Sequence, residues 1–337
     1  MSLDEPNNEA TVSLSSQALA RAGPSQLRHV SRGETLMSEG EPATWFGDVV
    51  EGTAQATRRT PTGHTVLGTI EPGSVIGELA LLTHSPRTAT VTSTSDMVVE
   101  VHPASSFAAL LRDHDFACSL AEHVADRLAT LSPPVPIVLR SGSTVLLRPG
   151  LASDRTSLDA GLAAMSKESL RRRFFSGGFP TETVISRLAT FDYFNHFAWV
   201  VSEGSDLDGE LVGSASYFRS TEQPTMAEIS LGIVDRAQNQ GIGRVLVEAI
   251  GVACGVAGIT TLTAEVLREN IPMRTLLRRP ATIWNASEPG VVHATMQASE
   301  FGTSLLPGER DALVSVASPI IWHTAALLVG RRERLSG

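Results

Sequence analysis

The chain has 337 residues, which is room for two domains of ordinary size. Hydrophobic residues make up 42% of it, which argues against wholesale disorder, and the formal net charge of −9 argues against a nucleic-acid binder. No apolar run reaches the ~18 residues that a bilayer span needs, and the opening MSLDEPNNEA is polar and acidic, unlike a signal peptide; no membrane or nucleic-acid partner is expected, and the cytoplasm is the expected compartment.

In chain order, residues 1–11 read as disordered and 14–22 as a short helix. From Arg32 to about Val101, short β-branched runs are separated by Gly33, Gly40, Gly52, Gly63, Gly73 and Gly77. That rhythm predicts successive short strands of a β-roll or barrel. Residues 103–131 carry a helical stripe (Phe107, Leu110, Leu111, then Leu120, Val124, Leu128). Pro133, Pro134 and Pro136 then predict a semi-rigid spacer over 132–142. Cys118 and Cys254 stand in apolar helical contexts without a Cys-x-x-Cys partner, so two buried free thiols in a reducing compartment are expected. The nine histidines show no ligand spacing, so no metal site is predicted.

Past the spacer, 144–149 reads as a strand, 154–175 as a helix ending in Arg171, Arg172 and Arg173, and 183–189 as another helix. Strands follow at 197–201, 211–217 and 227–234, with a turn at 204–209. A helix begins at Ile242 with an apolar stripe through Val245, Leu246, Ala249, Ile250 and Ala253. A strand at 260–266, a short helix at 270–278 and closing strands at 282–284 and 291–296 complete an α+β order with a mixed sheet. Residues 297–337 form a tail with an amphipathic helix over 305–330 and no assigned role.

Two stretches carry chemistry. In Gly73-Ser-Val-Ile-Gly-Glu-Leu-Ala-Leu-Leu82, Gly77 begins a turn, and the next residues form a helical turn that presents free N–H groups to an anion. Glu78 offers oxygens to a diol, Arg87 offers a guanidinium to a phosphate, and Thr88 adds a hydroxyl. The other stretch, MAEISLGIVDRAQNQGIGR from Met226 to Arg244, passes from an alternating strand through Gln238-Asn239-Gln240-Gly241-Ile242-Gly243 into a helix. Small glycines and a helix N-terminus there suit a pyrophosphate.

GELALL…PRTATV resembles the phosphate-binding cassette of the cyclic-nucleotide-binding domain family, with the likeness extending over residues 12–131. The resemblance implies that Glu78 holds the ribose 2′-OH and that Arg87 holds the cyclic phosphate beside the amides of Gly77, Leu79 and Ala80; Thr88 leaves cAMP and cGMP both open. Residues 143–296 resemble the GNAT superfamily of N-acetyltransferases. That implies acetyl-CoA as co-substrate, with its pyrophosphate on the loop Gln238, Asn239, Gln240, Gly241, Gly243 and Arg244, and with Ile233, Val234, Asn270 and Met273 beside it. It also implies Glu228 as general base toward a lysine amine, and Gly232 at a strand bulge whose N–H faces the thioester carbonyl. Two positions depart from that pattern: Leu277 stands where many members carry a general-acid tyrosine, and Arg279-Pro280 where an aromatic-glycine pair is usual. The chain's two tyrosines, Tyr193 and Tyr217, lie in other segments.

Together the two halves resemble the cyclic-nucleotide-regulated protein lysine acetyltransferases of mycobacteria and related actinobacteria. The resemblance implies protein substrates with reactive lysines and autoinhibition by a segment that covers the acceptor site until nucleotide binds; residues 159–196, with Arg171–Arg173, are the expected lid. A GNAT enzyme acting on a small amine, a weak acyl-CoA sensor and a cyclic-AMP-receptor-type regulator remain as alternatives.

Overall fold

The computed structural model describes residues 25–60, 63–112, 114–176, 178–203 and 210–329. The expected N-terminal disorder and helix, the 204–209 turn and the end of the tail lie outside these residues, as does the side chain of Cys118. The chain divides into two compact units, one of Met1–Val124 with Ala325–Gly337 and one of Ala125–Thr324.

The first unit is built on two four-stranded sheets. One has the order β1 (Gln26–Val30), β8 (Met97–Pro103), β3 (Trp45–Glu51), β6 (Val75–Ile76). The other runs β2 (Thr35–Met37), β7 (Thr90–Ser93), β4 (Ala54–Thr60), β5 (Gly63–Ile70). All pairings are antiparallel, and Val30, Leu36, Met37, Val49, Ile76 and Val99 close the core between the sheets. The glycine rhythm has its reason in the turns: all six punctuating glycines have positive φ, from 81° at Gly77 to 144° at Gly63. Helix α1 (Glu78–Leu82) sits between β6 and β7, and α2 (Ala104–Leu110) and α3 (His114–Leu131) follow the strands.

The second unit is one mixed eight-stranded sheet. Its order is β15 (Ile283–Ala286), β16 (Val291–Gln297), β14 (Thr261–Leu267), β13 (Met226–Ile233), β12 (Leu211–Arg219), β11 (His196–Glu203), β10 (Thr144–Pro149), β9 (Val135–Val138). Only β13 and β14 run parallel, joined through α7 (Ile242–Val256). Nearly every residue of α7 is buried, because the sheet covers one side and the C-terminal segment another. Trp199 Nε1 ties sheet to helix by donating to Ala249 O at 3.0 Å. Gly251 leaves room for Phe301, which would overlap a Cβ placed there.

Three expectations change. The proline-rich segment is not a free spacer: Val135–Val138 pairs with β10 as the edge strand of the sheet, with Val135 and Ile137 buried. Proline is tolerated there because an edge strand leaves one row of donors unused. The expected helix over 154–175 is broken at Ser166 into α4 (Arg155–Ala163) and α5 (Lys167–Phe174), and Ser166 Oγ caps the second by accepting from Ser169 N. α6 (Glu182–Ala189) follows, and Leu162, Leu170 and Ile185 give these three helices a small core of their own. The tail is no appendage: α9 (Pro307–Val329) sends Leu313, Val316, Ala317, Ile320 and Ile321 into the core of the second unit. Short α8 (Ile271–Leu276) forms as the sequence predicts.

Candidate active site and nucleotide site

In the first unit, α1 opens at Gly77 with φ 81° and ψ 0°. Only glycine adopts this without a steric penalty, and a Cβ here would also collide with Nη1 of Arg87. Arg87 (4% exposed) and Glu78 (1%) are both buried. Arg87 Nη1 donates to Gly77 O at 2.8 Å, Nη2 donates to Trp45 O at 2.6 Å, and the guanidinium stands 5.1 Å from the Trp45 ring centre. Burial lowers the Arg87 pKa, while the carboxylates of Glu78 and Glu41 oppose that shift. Leu79 and Ala80 are buried, and Thr88 is half-buried next to Arg87. A buried carboxylate and a buried guanidinium flanking a glycine turn fit a ligand that carries both hydroxyls and a negative charge.

In the second unit, β13 and β14 pair only from Met226 to Glu228 and then separate. The separation opens a cleft of about 700 Å³ along the edge of β13. Glu228, Gly232, Ile233, Gln238, Asn239, Gly241, Gly243, Arg244, Asn270 and Met273 all line it. Glu228 is exposed, as the alternation with buried Ala227 and Ile229 requires. α7 begins at Gly241 (φ 95°) with no side chain capping its first turn, so its leading N–H groups and dipole face the cleft. Gly243 lets the helix approach, since a Cβ there would meet Leu276 Cδ1 at 3.0 Å. Asn270 caps α8, its Oδ1 accepting from Met273 N at 3.2 Å.

Three expected contacts change. Val234 is buried against Gly161 of α4 and lines a second, smaller cavity of about 50 Å³ beneath the helices. Gln240 is exposed and folds back, its Nε2 donating to Arg236 O. Gly232 is not at a bulge toward β12, because the register runs regularly from Gly213↔Ile233 to Arg219↔Ala227. Arg173 of α5 lies against this residue, its guanidinium in the space that a Cβ would take.

α5 crosses the cleft as a strap. At its start, Ser166 N, Ser166 Oγ and Ser169 Oγ all donate to Asp235, just after β13. These hydrogen bonds hold the Asp235 carboxyl below its usual pKa although burial works the other way. Gln238 Nε2 donates to Ser169 Oγ and Ile233 O, so the side chain read as a phosphate-loop residue anchors the strap. Farther along, Arg171 Nη1 donates to Glu269 at 2.8 Å, on the β14 side. Sequence reasoning named Arg171–Arg173 as a basic cluster but gave no sign that the third turns inward, because helix periodicity does not distinguish a solvated arginine from one over a cleft.

Residues 27–114 match the cyclic nucleotide-binding domain family and residues 166–280 the acetyltransferase (GNAT) family. The chain is 34% identical to Acetyltransferase Pat of Mycolicibacterium smegmatis over 260 residues, covering 77% of this chain and 78% of that one. The chain belongs to the Pat acetyltransferase family. It is also 44% identical over 66 residues to the cAMP-dependent protein kinase regulatory subunit of Mycosarcoma maydis, covering 20% of this chain and 13% of that one. Among solved structures it resembles a cAMP-binding acyltransferase from Mycobacterium smegmatis at 27% identity and a TM-score of 0.49, covering 94% of this chain and 95% of that one.

As a member of the Pat family the protein is an acyltransferase with a cyclic nucleotide-binding domain. Its departures have physical accounts. Leu277 is fully buried, so its position points into the core rather than at the cleft. Tyr193 OH donates to Asp126 and Gly150 O, and Tyr217 OH to Phe194 O; burial raises the pKa of both, and neither lines the cleft. Arg279 replaces the usual aromatic and donates to buried Glu248 at 2.8 Å, its guanidinium 4.4 Å from the Phe301 ring centre. Cys254 is buried, and burial raises its thiol pKa. Among the described residues no helix is long and apolar enough to cross a membrane, and no group of three acidic, histidine or cysteine side chains gathers as for a metal.

Proposed function

We propose that the protein moves an acetyl group from acetyl-CoA to lysine ε-amino groups of other cytoplasmic proteins, with Glu228 as general base and cAMP as the activating ligand. The observation that carries this reading is that Glu228 and the Gln238–Gly243 turn open onto one cleft. A pyrophosphate on the α7 N-terminus directs the pantetheine arm along the open edge of β13, toward Glu228. A lysine of pKa ~10.4 is neutral only about once in 10³ molecules at pH 7, a handicap of roughly 4.6 kcal/mol. A carboxylate at the acceptor end takes that proton, directly or through water, and passes it to solvent before the neutral amine attacks. The purine is read as adenine because a relative of this chain is a cAMP-dependent kinase subunit.

The strap supplies the regulation. Leu170 in the helical core and Ser166 on Asp235 hold α5 in place, so the part that opens is the exposed Arg171–Glu269 pair at the mouth. The expected lid of residues 159–196 thereby narrows to one clasp, and an exposed pair is weak enough for a ligand to tip.

One assay tests both parts: acetylation of a lysine-bearing peptide with and without cAMP and cGMP. Glu228→Gln is expected to cut turnover at least tenfold at neutral pH, with a smaller loss at high pH where free amine is abundant. An unchanged rate removes Glu228 as the base. Arg171→Ala is expected to raise the nucleotide-free rate several-fold, and full dependence on nucleotide in that variant removes the clasp.

A further inference from the structure

Three consecutive arginines on α5 have different surroundings. Arg171 pairs with Glu168 and Glu269, and Arg172 pairs with Glu168. Arg173 pairs with no carboxylate among the described residues. Arg173 is half-buried; its Nε is enclosed without a hydrogen-bond partner, and its guanidinium stands 5.5 Å from the ring centre of Phe174. Burial alone pushes the guanidinium down to about 10. A partly desolvated cation without a counter-ion is costly in a folded protein, and it is tolerated where a negative charge arrives during function.

The place where that charge arises follows from the cleft. Cofactor phosphates sit at the α7 N-terminus and the acceptor amine at Glu228, so the carbonyl between them lies over the middle of the open β13 edge. Gly232 is four residues from Glu228, roughly 13 Å along the strand. Arg173 lies on Gly232 and borders both the main cleft and the small cavity behind it. No tyrosine faces this point.

We infer that the Arg173 guanidinium is a catalytic group that holds the negative charge developed on the thioester during acetyl transfer. The inference rests on the reading of Glu228 as the base. The amine nitrogen forms a bond to the carbonyl carbon, and the carbonyl π pair moves onto oxygen beside Arg173. The amine proton passes to Glu228. Collapse of the oxyanion breaks the C–S bond, and the CoA sulfur leaves as a thiolate, still within the field of the guanidinium. Arg173 transfers no proton, so no general acid is needed for the thiol to depart.

The test uses the full chain with saturating cAMP, acetyl-CoA and a lysine-bearing peptide. Arg173→Ala and Arg173→Gln are expected to lower kcat 100- to 1000-fold with KM for acetyl-CoA within about threefold, the scale for losing one oxyanion donor. Arg173→Lys is expected to recover at least about tenfold over alanine, since it keeps the charge but loses the planar fork. A second reading needs no turnover: wild type is expected to bind CoA more tightly than desulfo-CoA as pH rises and the thiol ionises, and Arg173→Gln to lose that preference. Because the charge has no partner, Arg173→Gln is expected to melt no lower than wild type. An alanine variant with equal or higher kcat, active without nucleotide, makes Arg173 a plug and overturns the inference. So does a lysine variant no better than alanine with the CoA preference intact, which marks a structural role. Glu228→Gln reports separately: its defect shrinks at high pH, whereas the Arg173 defect persists there.

Discussion

The two anion sites use the same backbone device and opposite side-chain strategies. Each begins with a glycine in the left-handed region, Gly77 at φ 81° and Gly241 at φ 95°, and each starts a helix with no side chain capping its first turn, where a phosphate is proposed to bind. In the nucleotide site the cation is secured before the ligand arrives: Arg87 donates to two carbonyls and has carboxylates nearby. In the acyl cleft Arg173 has neither. The difference matches the role proposed for each site. A receptor gains from a rigid, fully hydrogen-bonded cradle, because ordering it on binding would lower affinity. A catalyst gains from a cation left uncompensated in the ground state, since only interactions that strengthen in the transition state raise the rate.

Three substitutions press on this contrast. The largest effect is expected from Arg87→Ala, which should weaken cAMP binding at least about 100-fold by fluorescence titration, since it removes the charged partner and orphans two half-buried carbonyls. Acetyl-CoA affinity should stay within twofold; a matching loss there would mean that the sites share more than a motif. The glycine caps give a finer comparison. Gly77→Ala combines a left-handed backbone with a collision against Arg87, and about 2–3 kcal/mol of destabilisation is expected in chemical denaturation. Gly241→Ala meets nothing within 4 Å, so only the backbone cost of about 1–2 kcal/mol is expected. Equal losses would show that Arg87 yields and that its cradle is softer than its hydrogen bonds suggest.

Much of this was legible in the sequence. Period-two alternation from Ala227 to Ile233 fixed which face of β13 carries Glu228, and the glycine rhythm before Gly77 marked turns that only glycine makes cheaply. Ten of the twelve residues named for the catalytic and cofactor site line one cleft. What escaped was set by long-range contact. The bulge at Gly232 was implied by the GNAT resemblance, and nothing local reveals an arginine 59 positions upstream pressing on it. The strand at Val135–Val138 was hidden by its prolines, whose tolerance depends on an edge position that local sequence does not disclose. The buried Glu248–Arg279 pair likewise appears only when α7 and the segment after α8 come together.

Asp235 binds these observations into a thermodynamic statement. One carboxylate accepts from Ser166 and Ser169 of the strap, and Gln238 of the phosphate turn reaches the same serine hydroxyl. A ligand that strains this anchored end of the strap also strains the turn proposed to receive acetyl-CoA, and linkage makes any such coupling mutual. If cAMP changes the affinity for acetyl-CoA by some factor, acetyl-CoA changes the affinity for cAMP by that same factor. The metabolic state of the cell is then read at both ends, and an enzyme short of acetyl-CoA hears its second messenger differently from one that is well supplied.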